Sequence, residues 1–240
     1  MYLARIRRLP IIRTTAVLIV LGSAVWLGAR LHSHLASGLS FLDVLSRPAS
    51  VIGRAGLRLP GGILLAALIA PIVSRVAKVD LLLMGDVAAP FAAGAIAVGR
   101  WGCFLHGCCF GTRLDAPWSV TFPEGSEAAL NHLARSLVAA GEPSLPVHPL
   151  QLYLSISAAA VMGLLLWRSR SATRAGEVSL LLVALMGLSM AALEHFREGA
   201  LVTAVPFRFE IPLIAGTVAL IALYRRQRQG PVASERRGEP

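Results

Sequence analysis

Residues 81–98 read LLLMGDVAAPFAAGAIAV, eighteen positions holding a single charge, Asp86, with Arg100 closing the run. At about 1.5 Å of rise per residue, a helix of that length comes close to the ~30 Å hydrocarbon core of a bilayer. A soluble core helix carries a polar face, and this stretch has none to offer. It is a membrane span, and the rest of the chain agrees with it.

Working outward, five more segments share the pattern: Thr14–Ala29, Leu59–Ser74, Val147–Trp167, Val178–Leu193 and Ile211–Tyr224. Arginine or lysine ends most of them, and long basic side chains snorkel to the head groups where a span is short. A weaker apolar patch, Leu39–Leu45, is too short to cross and reads as interfacial or re-entrant. The fold expected is an all-α polytopic bundle. Residues 1–224 form one transmembrane domain, and 225–240 a disordered basic cytoplasmic tail.

Composition supports this. Of 240 residues, 55% are hydrophobic and 15% charged, and mean hydropathy is +0.67. A soluble domain would lack the polar surface to cover so much apolar side chain. The net charge of +10 could suggest nucleic acid. Arginines clustered at span ends without interleaved aromatics instead mark topology and anionic lipid, so nucleic acid is not an expected partner. With the N-terminus inside, fourteen of the 23 basic residues fall on short inner loops and tails. The long 100–147 region then faces outward.

Chemistry concentrates in Gly99–Thr112, GRWGCFLHGCCFGT. Gly99, Gly102 and Gly111 let backbone bend or approach a ligand. Arg100, at the end of a span, is costly without an anionic partner, and its fork of donors matches a phosphodiester. Cys103, His106, Cys108 and Cys109 lack the paired spacing of a structural zinc site, and the adjacent Cys108 and Cys109 are expected to point apart. Inert buried thiols are the default, with a redox-active or disulfide-linked group on the outer face as an alternative. A second stretch, PVHPLQLY at 146–153, places His148, Gln151 and Tyr153 at a helix entrance, with His148 at the cap if the helix begins at Pro149. A third, LEHFRE at 193–198, sets Glu194 and Arg197 three positions apart, where a helix would pair them. Asp86 is expected to pair with Arg100 or another arginine, or to face the lumen.

Together these stretches resemble the prolipoprotein diacylglyceryl transferase family of bacterial inner-membrane enzymes. Asp86 and Pro90 match the residues before its signature. Gly99, Arg100, Gly102, Phe104, Gly107 and Gly111 match the signature itself. Pro117-Trp118, the box at His148, Pro149, Gln151, Leu152 and Tyr153, and a last box at Glu194, Phe196 and Arg197 follow in order. The sequence departs from the pattern at Cys103, His106 and Cys108, where the signature has Asn, Asn and Glu. Gly61-Gly62 also runs into Ile63–Leu68 without the usual histidine.

The resemblance implies transfer of a diacylglyceryl group from phosphatidylglycerol to the lipobox cysteine of a preprolipoprotein, forming a thioether and releasing glycerol phosphate. It requires no cofactor and no metal. Arg100 and Arg197 would hold the departing phosphate, Glu194 would orient an arginine, and His148 or His106 would act as base. Gly99, Gly102, Cys103, His106, Gly111, Gln151 and Tyr153 would line the substrate site. Two alternatives stay open: a diverged lipid-binding membrane protein without catalysis, and a thiol-active membrane protein using the three cysteines.

Overall fold

A computed structural model describes residues 9–35, 59–171, 174–198 and 210–228. Among them are seven helices and no strand longer than an isolated bridge. They are α1 (Ile11–Leu35), α2 (Leu59–Ala77), α3 (Leu81–His106), α4 (Glu127–Ala134), α5 (Leu150–Ser169), α6 (Glu177–Glu194) and α7 (Glu210–Arg228). Five of these, α1, α2, α3, α5 and α6, are long and apolar enough to cross a membrane. The sixth expected span lies in α7, whose apolar part, Ile211–Arg225, is shorter. The Leu39–Leu45 patch and residues 229–240 of the tail lie outside the described residues, while 225–228 continue α7.

No more than 39% of any span's apolar window is buried. The exposed remainder includes Ile72, Leu105 and Ile156, an arrangement that only a lipid solvent tolerates.

The described residues up to Val87 form one compact unit. Here α1 and α2 pack through glycine. A β-carbon on Gly28 would lie 2.5 Å from the Gly61 carbonyl oxygen, and one on Gly62 would run into the Val25 carbonyl. Such backbone contact is how membrane helices gain packing when lipid removes the hydrophobic drive between them. The Gly61 amide, an orphan donor in the first turn of α2, donates to Nδ1 of His32 on α1 at 3.1 Å. The Gly61-Gly62 pair is thus a helix-packing device. Asp80 starts α3 by accepting from the Leu83 amide at 2.8 Å.

The described residues from Ala88 onward form the second unit. Ala89, Ala93 and Ala97 of α3 pack with Ala158, Val161 and Leu165 of α5 and with Val178 and Met186 of α6. Ser155 on α5 donates to the Ala97 carbonyl at 2.8 Å. Gly187 and Gly216 bring α6 against α7, since a β-carbon on Gly187 would sit 2.5 Å from the Pro212 carbonyl. Between α3 and α5, residues 107–148 fold over a small apolar core of Phe110, Phe122, Ala128 and Val147. Asp86 is buried in α3. Its fourteen-position separation from Arg100 on that helix is about 21 Å of rise, so the expected pairing with Arg100 is ruled out.

Candidate functional site

The end of α3 builds the site. The Gly107 amide closes on the Phe104 carbonyl, and the Cys108 amide on the Cys103 carbonyl at 3.1 Å. Gly107 has φ +70°, a conformation that costs glycine nothing. A β-carbon there would also lie 2.7 Å from Ser126 Cβ. The chain then runs extended between two other stretches. Gly111 donates to the His148 carbonyl, and His148 to the Thr112 carbonyl, each at 3.0 Å. Thr112 donates to the Phe196 carbonyl at 2.6 Å, and Glu198 to the Phe110 carbonyl at 3.4 Å. Three segments far apart in sequence meet on one short backbone ladder.

Their side chains meet with them. The helix begins at Leu150, with Pro149 at its N-cap, so His148 stands one position outside the cap expected for it. Nδ1 of His148 lies 3.3 Å from the Tyr153 hydroxyl, and its ring packs on Phe196 at 5.3 Å between centroids. Gln151, fully buried, donates to the Cys108 carbonyl at 2.7 Å. Helix α6 stops at Glu194, yet Arg197 Nε still reaches Glu194 Oε2 at 3.1 Å through the following turn.

Arg197 also lines a cleft of about 380 Å³ with Thr112, Arg113, Arg135 and Glu198. Arg135 pairs with Glu198 at 2.6 Å. His132, wholly buried, accepts from the Leu145 amide at 3.0 Å through Nδ1. That leaves its proton on Nε2, which faces Glu198 at 3.5 Å. With Glu198 in the lining and Glu194 paired to Arg197, three guanidinium groups stand against two carboxylates, and the excess positive charge suits an anion.

The thiols differ from the sequence expectation. Cys109 has φ +60°, a left-handed turn that reverses the usual alternation of neighbours. Cys108 and Cys109 therefore converge, and their sulfurs lie with that of Cys103 within 4.8 Å of one another. All three are free and half-buried. Arg100 and Arg197 are near enough for their charges to bear on Cys103. Glu127, at the start of α4, sits by the same cluster. Partial burial and then Cys109 raise its carboxyl above the ordinary range, although Arg197 and His106 oppose the shift.

The sequence matches the family model for prolipoprotein diacylglyceryl transferase over residues 3–224. The chain belongs to the prolipoprotein diacylglyceryl transferase family. It is similar to the phosphatidylglycerol–prolipoprotein diacylglyceryl transferase of Geobacter sulfurreducens, 31% identical over 185 residues, covering 76% of this chain and 64% of that protein. The protein of the same name from Clostridium tetani is 35% identical over 118 residues, covering 49% of this chain and 42% of its own length. That from Methylocella silvestris is 29% identical over 196 residues, 76% and 66% respectively. The chain thus spans less than two thirds of the length of these relatives.

As a multi-pass membrane protein of the prolipoprotein diacylglyceryl transferase family, the chain gathers most of its expected site residues. Gly111, His148, Tyr153, Glu194 and Arg197 join through the ladder, Gln151 holds the turn, and Cys103 meets the other thiols. His106 is exposed at the end of α3. Gly99 and Gly102 face open space, with nothing within 4 Å of an added β-carbon. Among the described residues, Arg100 does not line the arginine cleft that Arg197 enters. Sequence reading missed Arg113, Arg135, Glu198, His132 and Glu127. Arg113, two positions after Gly111, and Glu198, next to Arg197, had a local signal.

Proposed function

We propose that this protein transfers a diacylglyceryl group from phosphatidylglycerol to the cysteine thiol of a lipobox in a preprolipoprotein. The observation that carries the reading is the ladder at Gly111, which joins the signature turn, the His148–Tyr153 box and the Glu194–Arg197 pair beside an arginine-lined cleft.

The reaction forms a bond from sulfur to the glyceryl carbon and breaks that carbon's bond to phosphate oxygen. The thiol proton must leave, and negative charge grows on the departing glycerol phosphate. His148, with one ring nitrogen toward Tyr153, is the base. Arg197, oriented by Glu194, and Arg100, in the last two turns of α3, stabilise the leaving phosphate. Gly99 and Gly102 leave room for the lipid, Cys103, His106 and Tyr153 line the substrate, and Gln151, expected in that lining, is instead buried and supports the turn through the Cys108 carbonyl. Fixed guanidinium groups at a lipid interface act where little water screens them. The protein resides in the bacterial inner membrane, with both tails cytoplasmic and the site facing outward. Purified protein in phosphatidylglycerol micelles should release glycerol phosphate only when a lipobox peptide with a free cysteine is added. Release without peptide, or none with it, rejects the reading.

A further inference from the structure

The three cysteines take no assigned step in that reaction, yet the turn after α3 gathers them. Their sulfurs lie within 4.8 Å of one another. Thiolates that share one ion at about 2.3 Å sit roughly 3.7 to 4 Å apart, so small rotations about χ1 complete the set. The frame that carries them is fixed at both ends. The Cys108 amide is bonded to the Cys103 carbonyl at 3.1 Å, and the Cys108 carbonyl accepts from buried Gln151 at 2.7 Å.

A disulfide would use two sulfurs and strand the third, and it would have to draw one pair together to about 2 Å. An ion uses all three where they stand. The cysteines are half-buried, so an ion has a way in. Among the described residues, no His, Asp or Glu donor joins the three sulfurs.

We propose that Cys103, Cys108 and Cys109 form a three-thiolate site for one thiophilic metal ion of the Zn²⁺ class, with the fourth coordination position open to water or an external ligand. Soft sulfur donors select such ions over Mg²⁺ or Ca²⁺. Binding releases the thiol protons to solvent and needs no oxidant, since Zn²⁺ has no redox chemistry. The site shares Cys103 with the proposed substrate lining but does not rest on the transfer reading, and none of its tests uses transfer.

The test uses the full chain, purified in detergent, reduced and then freed of metal and reductant. Co²⁺ should produce a sulfur-to-metal charge-transfer band that saturates at one equivalent, is bleached by Zn²⁺ and is unaffected by Mg²⁺. In the unaltered protein, Zn²⁺ should slow maleimide alkylation of all three cysteines by at least about tenfold. Cys103→Ser, Cys108→Ser and Cys109→Ser should each weaken Co²⁺ binding by about tenfold or more, with unchanged helical circular dichroism. Absence of the band, alkylation indifferent to Zn²⁺, or a disulfide within the trio in protein isolated without reductant would overturn the proposal. The alkylation arm needs no variant, so a misfolded serine protein leaves the decision intact.

Discussion

The Gly111 amide donates to the His148 carbonyl at 3.0 Å, and a β-carbon on Gly111 would lie 2.6 Å from His148 Cβ and 2.7 Å from the Phe196 carbonyl. One glycine therefore sets the spacing of the signature turn from both other boxes. Its lack of a side chain is a packing requirement, unlike that of Gly102, which faces open space.

Gly111→Ala should destabilise the protein by about 1–3 kcal/mol, because two of the three closest atoms are backbone carbonyl oxygens that cannot move aside. Gly102→Ala should leave the melting temperature unchanged. Gly102→Leu should weaken phosphatidylglycerol binding with the fold intact, as it fills room meant for lipid. Thermal unfolding and lipid binding on the same three samples check this. Equal melting temperatures for Gly111→Ala and the unaltered protein would show the ladder to be slack.

Gln151→Leu should lower stability by about 1–3 kcal/mol, since it strips the Cys108 carbonyl of a 2.7 Å donor inside the protein. The same substitution should speed alkylation of Cys108, because the turn loses its anchor to α5. Unchanged alkylation with unchanged stability would mean that the turn holds itself.

Much of this architecture was legible before any coordinates. Spans such as 81–98 announce themselves because lipid demands apolar side chains on every face, which needs no knowledge of partners. The pairing of Glu194 with Arg197 was expected from a continuing helix, and it forms instead through the turn after α6. Residues 107–148 were not legible, because their order rests on distant bonds such as Ser144 Oγ accepting from the Phe122 amide. Arg135 reaches the cleft only because α4 folds back toward Glu198. The meeting of Cys108 and Cys109 depends on one positive φ, and alternation along a chain predicts the reverse.

Orientation is open to direct measurement. Glu124 is exposed in the 107–148 region, and the arginine balance puts that region outside. In a variant with Cys103, Cys108 and Cys109 replaced by Ser, Glu124→Cys should react with a membrane-impermeant maleimide in cells with permeabilised outer membranes. Reaction only after the inner membrane is breached would reverse the topology.

Arginine chemistry gives a sharper expectation. Arg197→Ala should reduce transfer by about tenfold to a hundredfold, the worth of a charged hydrogen bond to phosphate. Arg197→Lys should not restore it, because an ammonium cannot supply the fork held toward Glu194. Arg100→Lys should fail likewise, and Arg100→Ala should lose donor-lipid binding with little change in melting temperature. Full activity in either lysine variant would remove the bidentate role.

The central claim is that this chain joins lipid to a cysteine thiol. Mass spectrometry of a synthetic lipobox peptide, incubated with the purified protein and phosphatidylglycerol, tests it most directly. The account predicts a peptide heavier by one diacylglyceryl group, linked through a thioether that resists hydroxylamine, and no change when the cysteine is replaced by serine. A cysteine peptide recovered at its original mass, from protein that is folded and binds phosphatidylglycerol, would contradict it.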